Sequence, residues 1–235
     1  MKYVVHYGAM RLLGVFSHDN LVLRHGNRVI LKTPRGQEVG IVRCEATAEV
    51  LEKLDGDCVE DRILRLMTAT DEIEYRQLRL VDQEKLERCR QIVEEVGTAM
   101  ELVRIEHIFG GERIVLYYTA EGRVDFRELV KVLTAELQTR VEMRQISVRE
   151  GMKLLLNIGD CGREVCCGCH LHETPIVSIK MAKLQRVTLD PAKISGHCGR
   201  LKCCLSYEYG CYADKKKKAS TVPPPENTGA PKRSQ

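Results

Sequence analysis

Eight of the chain's eleven cysteines fall within the 51 residues from Cys161 to Cys211. Two of their groupings are nearly the same word. Cys161-Gly162-Arg163-Glu164-Val165-Cys166-Cys167 returns 37 residues later as Cys198-Gly199-Arg200-Leu201-Lys202-Cys203-Cys204. Three thiols, a glycine and an arginine hold the same offsets twice, which points to a soft, thiophilic centre. Thiolates select iron–sulfur clusters or zinc. A glycine after a ligand lets the backbone turn tightly around the metal. The arginine can donate hydrogen bonds to sulfur or lower a neighbouring thiol pKa. Cys169 and Cys211 trail the two words, and His170 and His172 lie beside the first, as spare or alternative ligands.

The same thiols admit other readings. A disulfide framework belongs to small secreted domains, and this sequence starts without the basic segment and apolar run of a secretory leader. Zinc ribbons and knuckles announce themselves as paired hooks with two to four residues between cysteines, whereas these thiols are adjacent or five apart. Neighbouring cysteines cannot both face one ion without strain, so one of each pair is expected to be buried structure. An iron–sulfur site is the leading reading and zinc the alternative. Catalysis finds little support: there is no phosphate loop and no dinucleotide-binding glycine pattern after a strand. His197-Cys198 lacks the phosphate-binding arginine that a phosphatase loop needs, since position 204 is Cys.

At 235 residues the chain can bury a real core without metal. No stretch approaches the ~18 apolar residues of a membrane span, and a cytoplasmic protein with reduced thiols is expected. The net charge of +4 is unevenly divided. Residues 1–150 carry 23 basic and 26 acidic side chains, a net −3, while 151–235 carry 14 and 7, a net +7. The basic part is the cysteine-rich part, which suits nucleic acid or an acidic protein partner as well as a solvated face.

The elements that must position these residues are short at first. Tyr3–Tyr7, Leu12–Ser17, Leu21–Leu23, Arg28–Thr33 and Glu38–Cys44 read as strands separated by turn residues, a small antiparallel β-barrel-like domain over 1–61. Cys44 is expected to be a buried strand residue. An acidic connector, Ala46–Asp61, precedes a strand at Arg62–Met67. A long helix then starts from a cap at Thr70 or Asp71 and ends at Gly97, with Cys89 on its apolar stripe. Strands at Glu101–Phe109 and Arg113–Thr119 meet at Gly110-Gly111. Asp125 caps a helix whose apolar face holds Phe126, Leu129, Val130, Leu133 and Leu137, and Arg140–Ile146 closes the set as a strand. That order predicts a ferredoxin-like split βαββαβ unit within 62–150. A cysteine-rich region spans 151–212, with a short basic helix carrying Lys180 and Lys183, and 213–235, with Lys215–Lys218, reads as a disordered basic tail. The class is α+β.

Further residues carry a resemblance. They are Gly122-Arg123-Val124-Asp125-Phe126-Arg127-Glu128-Leu129, Arg140-Val141-Glu142-Met143-Arg144-Gln145-Ile146, Val177-Ser178-Ile179-Lys180-Met181-Ala182-Lys183, and the stretch from Lys193 to Leu205 around the second word. In these the chain resembles the YaaT/RicT family of bacterial proteins, which carry the PSP (polymerase-suppressor) C-terminal domain. The resemblance implies a non-catalytic cytoplasmic regulatory subunit that joins small helical partners, RicA and RicF, in a complex holding [4Fe–4S] clusters. It further implies action with RNase Y on messenger RNA and a role in sporulation. By position Cys161, Cys166, Cys167, Cys198, Cys203 and Cys204 match the family's cysteine words and are the ligand candidates, with Cys169, His170 and Cys211 as accessories. The family's further cysteine, three residues before the first word, is replaced here by Ile158. The alternative is a zinc-stabilised nucleic-acid-binding protein.

Overall fold

The computed structural model describes residues 1–19, 21–53, 59–155, 158–171 and 176–213. The tail from 214, with Lys215–Lys218, and His172 lie outside the described residues. The chain divides into two compact units, Met1–Leu155 and Leu156–Gln235.

The first unit opens with strands β1 (Lys2–Tyr7), β2 (Leu12–Ser17), β3 (Arg28–Thr33) and β4 (Gly36–Glu45), followed by helix α1 (Ala48–Lys53) and strand β5 (Val59–Leu66). Their order, β1-β2-β5-β3-β4, closes into a barrel because β4 pairs back onto β1. Alternate side chains turn inward. Val29 and Leu31 of β3 meet Tyr3, Val5 and Tyr7 of β1, with Phe16, Val42 and Ile63, in a sealed core. Leu21–Leu23 is not a strand, although Leu23 packs into that core. Cys44 sits on β4 as expected, but at its exposed end rather than buried.

The strand expected at Arg62–Met67 exists as β5 but does not start a ferredoxin-like unit. It closes the barrel, parallel to β2 and antiparallel to β3. A first strand is therefore missing from the second sheet, which has three strands in the order β6 (Glu101–His107), β7 (Ile114–Thr119) and β8 (Val141–Gln145). The physical reason is closure: without β5 the edges of β2 and β3 would each expose a row of unpaired backbone groups. The remaining order is helix, strand, strand, helix, strand.

Helix α2 runs unbroken from Ala69 to Val96. Its N-cap is Thr68, two or three residues before the expected position. The Thr68 side chain accepts from the Asp71 backbone N–H while Asp71 reaches back to the Thr68 N–H. Arg65, the last outward arginine of β5, also grips Asp71 and holds its carboxyl well below the usual range. Helix α3 (Arg127–Leu137) starts from Phe126, not Asp125. Asp125, one residue earlier, still accepts the Arg127 backbone N–H at 3.1 Å and also pairs with its guanidinium, while Phe126 is partly exposed rather than core.

β7 explains the layering. Ile114, Leu116 and Tyr118 face α2 and α3, where Cys89, Ile92, Val93, Leu129 and Leu133 complete a core. Val115 and Tyr117 face the other way, onto Met10, Ile108, Ile146 and Leu154 of helix α4 (Val148–Leu155). A central strand covered on both faces reads as a continuous apolar run, which IVLYY is.

A buried polar cluster ties the β3–β4 turn to this sheet. Arg35 donates twice to Glu38, from Nε at 3.1 Å and Nη2 at 2.6 Å, and lies 3.5 Å from Glu106. Tyr117 Oη donates to Glu106 at 2.7 Å, Thr33 Oγ1 donates to Glu38 at 2.6 Å, and the Ala9 N–H donates to Glu106. Burial raises the Glu38 carboxyl above its ordinary pKa, with Arg35 and Thr33 only partly offsetting it.

Candidate metal centre

The second unit is organised by two small hairpins, one per cysteine word. Ile158 bridges Glu164, and Ser195 bridges Leu201. In the first, the Gly159 N–H donates to Arg163 O at 2.8 Å and the Gly162 N–H to Gly159 O at 2.9 Å. In the second, the Gly196 N–H donates to Arg200 O at 2.8 Å and the Gly199 N–H to Gly196 O at 2.9 Å. Gly162 and Gly199 take φ of 75° and 70°, the left-handed region that a residue with a Cβ enters at a cost of ~1–2 kcal/mol. This is why a glycine follows the first cysteine of each word. The repeat also extends upstream, since Gly159 and Gly196 are equivalent.

Each hairpin delivers its last two cysteines to a short helix. α5 (Cys166–Cys169) follows the first word, and α8 (Cys204–Tyr207) follows the second. Between them α6 (Ile179–Leu184) and α7 (Pro191–Ile194) supply a scaffold, with Ala182, Ile194 and Leu205 as its buried centre and Val177, Val187 and Leu201 against them. Asp190 caps α7 by accepting from the Ala192 N–H. Gln185 anchors α6 to α8 through a 2.6 Å bond from Nε2 to Leu205 O.

The candidate ligands divide by position. Cys166, Cys203 and Cys204 are neighbours: burial first, then the nearby Cys203 and Cys204, push the Cys166 thiol up to about 11. Burial and Cys203 likewise raise Cys204. Cys169 adjoins the group, and its Sγ lies 3.1 Å from His170 Nδ1. Cys161 and Cys198 occupy the two hairpin tips, against Gly159 and Gly196 of their own turns. Cys167 is the buried member of its adjacent pair, while Cys204 is only half-buried. Cys211 is exposed beyond α8. Among the described residues, no group of three or more His, Cys, Asp or Glu side chains is arranged to hold a metal ion. Lys180, Lys183, Arg186 and Lys193 are all exposed.

One contact that the cysteine pattern did not reveal joins the words. Asp160 lies 3.3 Å from His197 Nε2 and 2.5 Å from Lys202 Nζ. The Lys202 hydrogen bond first, and its charge, hold Asp160 below the usual carboxylate pKa. The available signal was the 37-residue offset, which makes positions 160 and 197 equivalent.

Comparison with known proteins completes the description. The PSP1 C-terminal conserved region matches residues 61–146, so that it begins inside the last barrel strand. The third domain of PSP1-like proteins matches 176–219. The chain is 42% identical over 213 residues to the stage 0 sporulation protein YaaT of Bacillus subtilis, a match spanning 88% of this chain and 74% of that one. It is 26% identical over 172 residues to an uncharacterized protein of Schizosaccharomyces pombe, covering 62% of this chain and 23% of the other. No solved structure matches.

Proposed function

The chain belongs to the family of the stage 0 sporulation protein YaaT, and from that premise we propose that it is a non-catalytic cytoplasmic regulatory subunit whose second unit carries an iron–sulfur cluster. In this reading it acts with RicA-like and RicF-like partners on messenger RNA processing by RNase Y. The observation that carries the cluster is the meeting of Cys166, Cys203 and Cys204, thiols from both words, beside a buried centre of only Ala182, Ile194 and Leu205. So small a core does not by itself stabilise a domain, and a bound metal is a common staple.

The donor chemistry fits. Cys166, Cys203 and Cys204 are the neighbouring sulfur donors, and Cys161 and Cys198 stand at the tips of the two hairpins. Cys169 and His170 are nearby substitutes for the cysteine that Ile158 replaces. Raised thiol pKa values mean that binding must displace protons, so loading weakens as pH falls. A bound cluster supplies a reducible, oxygen-sensitive crosslink between the words. The chain's own residues supply the hairpins, the Asp160–Lys202 tether and the exposed lysines of α6.

Iron, sulfide and zinc content with a visible spectrum, on protein purified without oxygen, tests the reading. Iron with matching sulfide and a broad band near ~400 nm is expected. Zinc alone is the outcome of the second reading, a zinc-stabilised nucleic-acid-binding protein. Cys169 Sγ and His170 Nδ1, 3.1 Å apart, favour that reading, because structural zinc takes mixed cysteine and histidine donors. Absence of metal from protein that keeps its second unit folded overturns both.

A further inference from the structure

Four outward side chains of the barrel stand at one level on consecutive strands. Lys2 of β1 lies opposite Ser17 of β2, Ser17 lies beside Arg62 of β5, and Arg62 lies opposite Lys32 of β3. Their chain neighbours Tyr3, Phe16, Leu31 and Ile63 fill the barrel, so these four turn to its outer surface. Lys2, Lys32 and Arg62 are exposed. Lys2, Ser17 and Arg62, with Val15 and Asp61, line an open cavity of about 230 Å³, below the ~300–1,000 Å³ of pockets that enclose a whole small molecule. Arg62 and Lys32 are like charges directly opposite each other, a pairing that costs stability. The same two strands show the alternative, since Arg28 pairs with Glu72 and Arg65 with Asp71. Among the described residues neither Lys32 nor Arg62 forms an ion pair.

We propose that this row is a binding site for the phosphodiester backbone of single-stranded RNA, a proposal that rests on the messenger RNA reading above. Lys2 and Arg62 against Asp61 leave the cavity one positive charge, and Lys32 adds a second beside it. One Asp61 oxygen is engaged by the Arg62 backbone N–H at 2.9 Å. From Lys2 to Lys32 the row crosses three strand spacings, ~14 Å along the sheet, which a lone phosphate cannot span and a chain of phosphates can. Arg62 offers a planar fork for paired phosphate oxygens, Ser17 a hydroxyl donor, and the lysines point charges. Among the described residues no aromatic ring lines the cavity. Bases are therefore not stacked there, and recognition is of the backbone and independent of sequence. A bound anionic strand removes the repulsion between Arg62 and Lys32.

The test is fluorescence anisotropy of the full chain with a labelled oligouridylate, measured from low to moderate salt. Lys32→Gln with Arg62→Gln is expected to flatten the log-log salt slope by about 1.4, at ~0.7 for each lost phosphate contact on a single strand, which is roughly 25-fold in affinity at about 0.1 M salt. The denaturant midpoint of that variant is expected to hold or rise, because a like-charge pair has gone. Lys180→Gln with Lys183→Gln removes the same charge from α6 and is the control for RNA held by the basic second unit. A barrel variant with unchanged affinity and slope overturns the proposal, whichever way the control behaves, and so does a lack of RNA binding at low salt. A fallen midpoint makes the two cations structural and overturns it too. Inorganic phosphate is the last arm: at matched ionic strength it is expected to displace RNA no better than chloride does, and displacement at millimolar phosphate assigns the site to a free anion instead. Iron and sulfide content does not depend on these cations, so failure here leaves the cluster reading standing, while a missing cluster with RNA binding intact fails that reading alone.

Discussion

The two units hold their shape by opposite means. In Met1–Leu155 three apolar clusters fill the barrel and both faces of the second sheet, and the buried charges of Arg35, Glu38 and Glu106 satisfy one another. In the second unit the buried apolar centre is three residues, and burial raises the neighbouring thiols of Cys166 and Cys204 above the ordinary cysteine pKa. The first unit has spent its buried polar chemistry on folding. The second holds its chemistry in reserve, and the difference teaches where an external crosslink matters.

Removal of the proposed metal breaks that comparison most sharply. Structural zinc in small domains contributes an apparent ~10–16 kcal/mol at neutral pH, far more than any side chain here. After chelation, amide exchange in 158–171 and 176–213 is expected to approach the unprotected rate, while the strands of the first unit keep their protection. Equal loss in both units, or none, would show that they do not differ as described. Next in size is Arg35→Ala, which strands Glu38 and Glu106 in the interior at a cost of ~3–5 kcal/mol, read as a lower denaturant midpoint. Replacing the three together, Arg35→Met with Glu38→Leu and Glu106→Gln, is expected to cost much less, because the penalty is that of orphaned charges rather than of a lost attraction.

The sequence makes some of this visible and hides the rest for identifiable reasons. Four of the five strands expected before residue 46 and the long helix are local patterns of alternation and periodicity, and they read correctly, whereas the short run Leu21–Leu23 is not a strand. The assignment of β5 does not read correctly either, because its partners β2 and β3 lie well before it and the choice of sheet is a matter of closure, not of composition. Cys44 fails for a related reason: alternation says that a strand exists but not how far its core extends. The Arg35 cluster joins residues 33 to 117, a separation with no local signature. In the second unit the repeat offset was legible, but the contacts between equivalent residues depend on how the hairpins pack.

A smaller perturbation sharpens the comparison within the second unit. Gly162→Ala and Gly199→Ala place a Cβ where nothing lies within 4 Å, so their cost is backbone conformation alone, ~1–2 kcal/mol each. The matching hairpins predict equal effects. The measurement is the rate of thiol labelling: Cys161 is expected to gain reactivity in the first variant and Cys198 in the second, by similar factors. A large effect from one glycine with none from the other would mean that only one hairpin depends on its turn.

The smallest effect is pH dependence in the first unit, where two carboxyls act in opposite directions. Asp71 is held low by Arg65 and Thr68, so its contribution is complete above the ordinary carboxylate pKa and is lost as pH falls through the depressed value. Glu38 is held high by burial. Its folded form keeps a proton that the unfolded chain has released, so its contribution is present below the ordinary glutamate pKa and is lost as pH rises toward the raised value. Denaturant midpoints measured from about pH 3 to 8 test both, the lower limit lying just below the ordinary carboxylate values. Glu38→Gln is expected to remove the decline on the rising side, and Asp71→Asn the decline on the acid side. If Glu38→Gln leaves the upper limb unchanged, Arg35 neutralises Glu38 more fully than its burial opposes, and the first unit's interior is electrostatically closed.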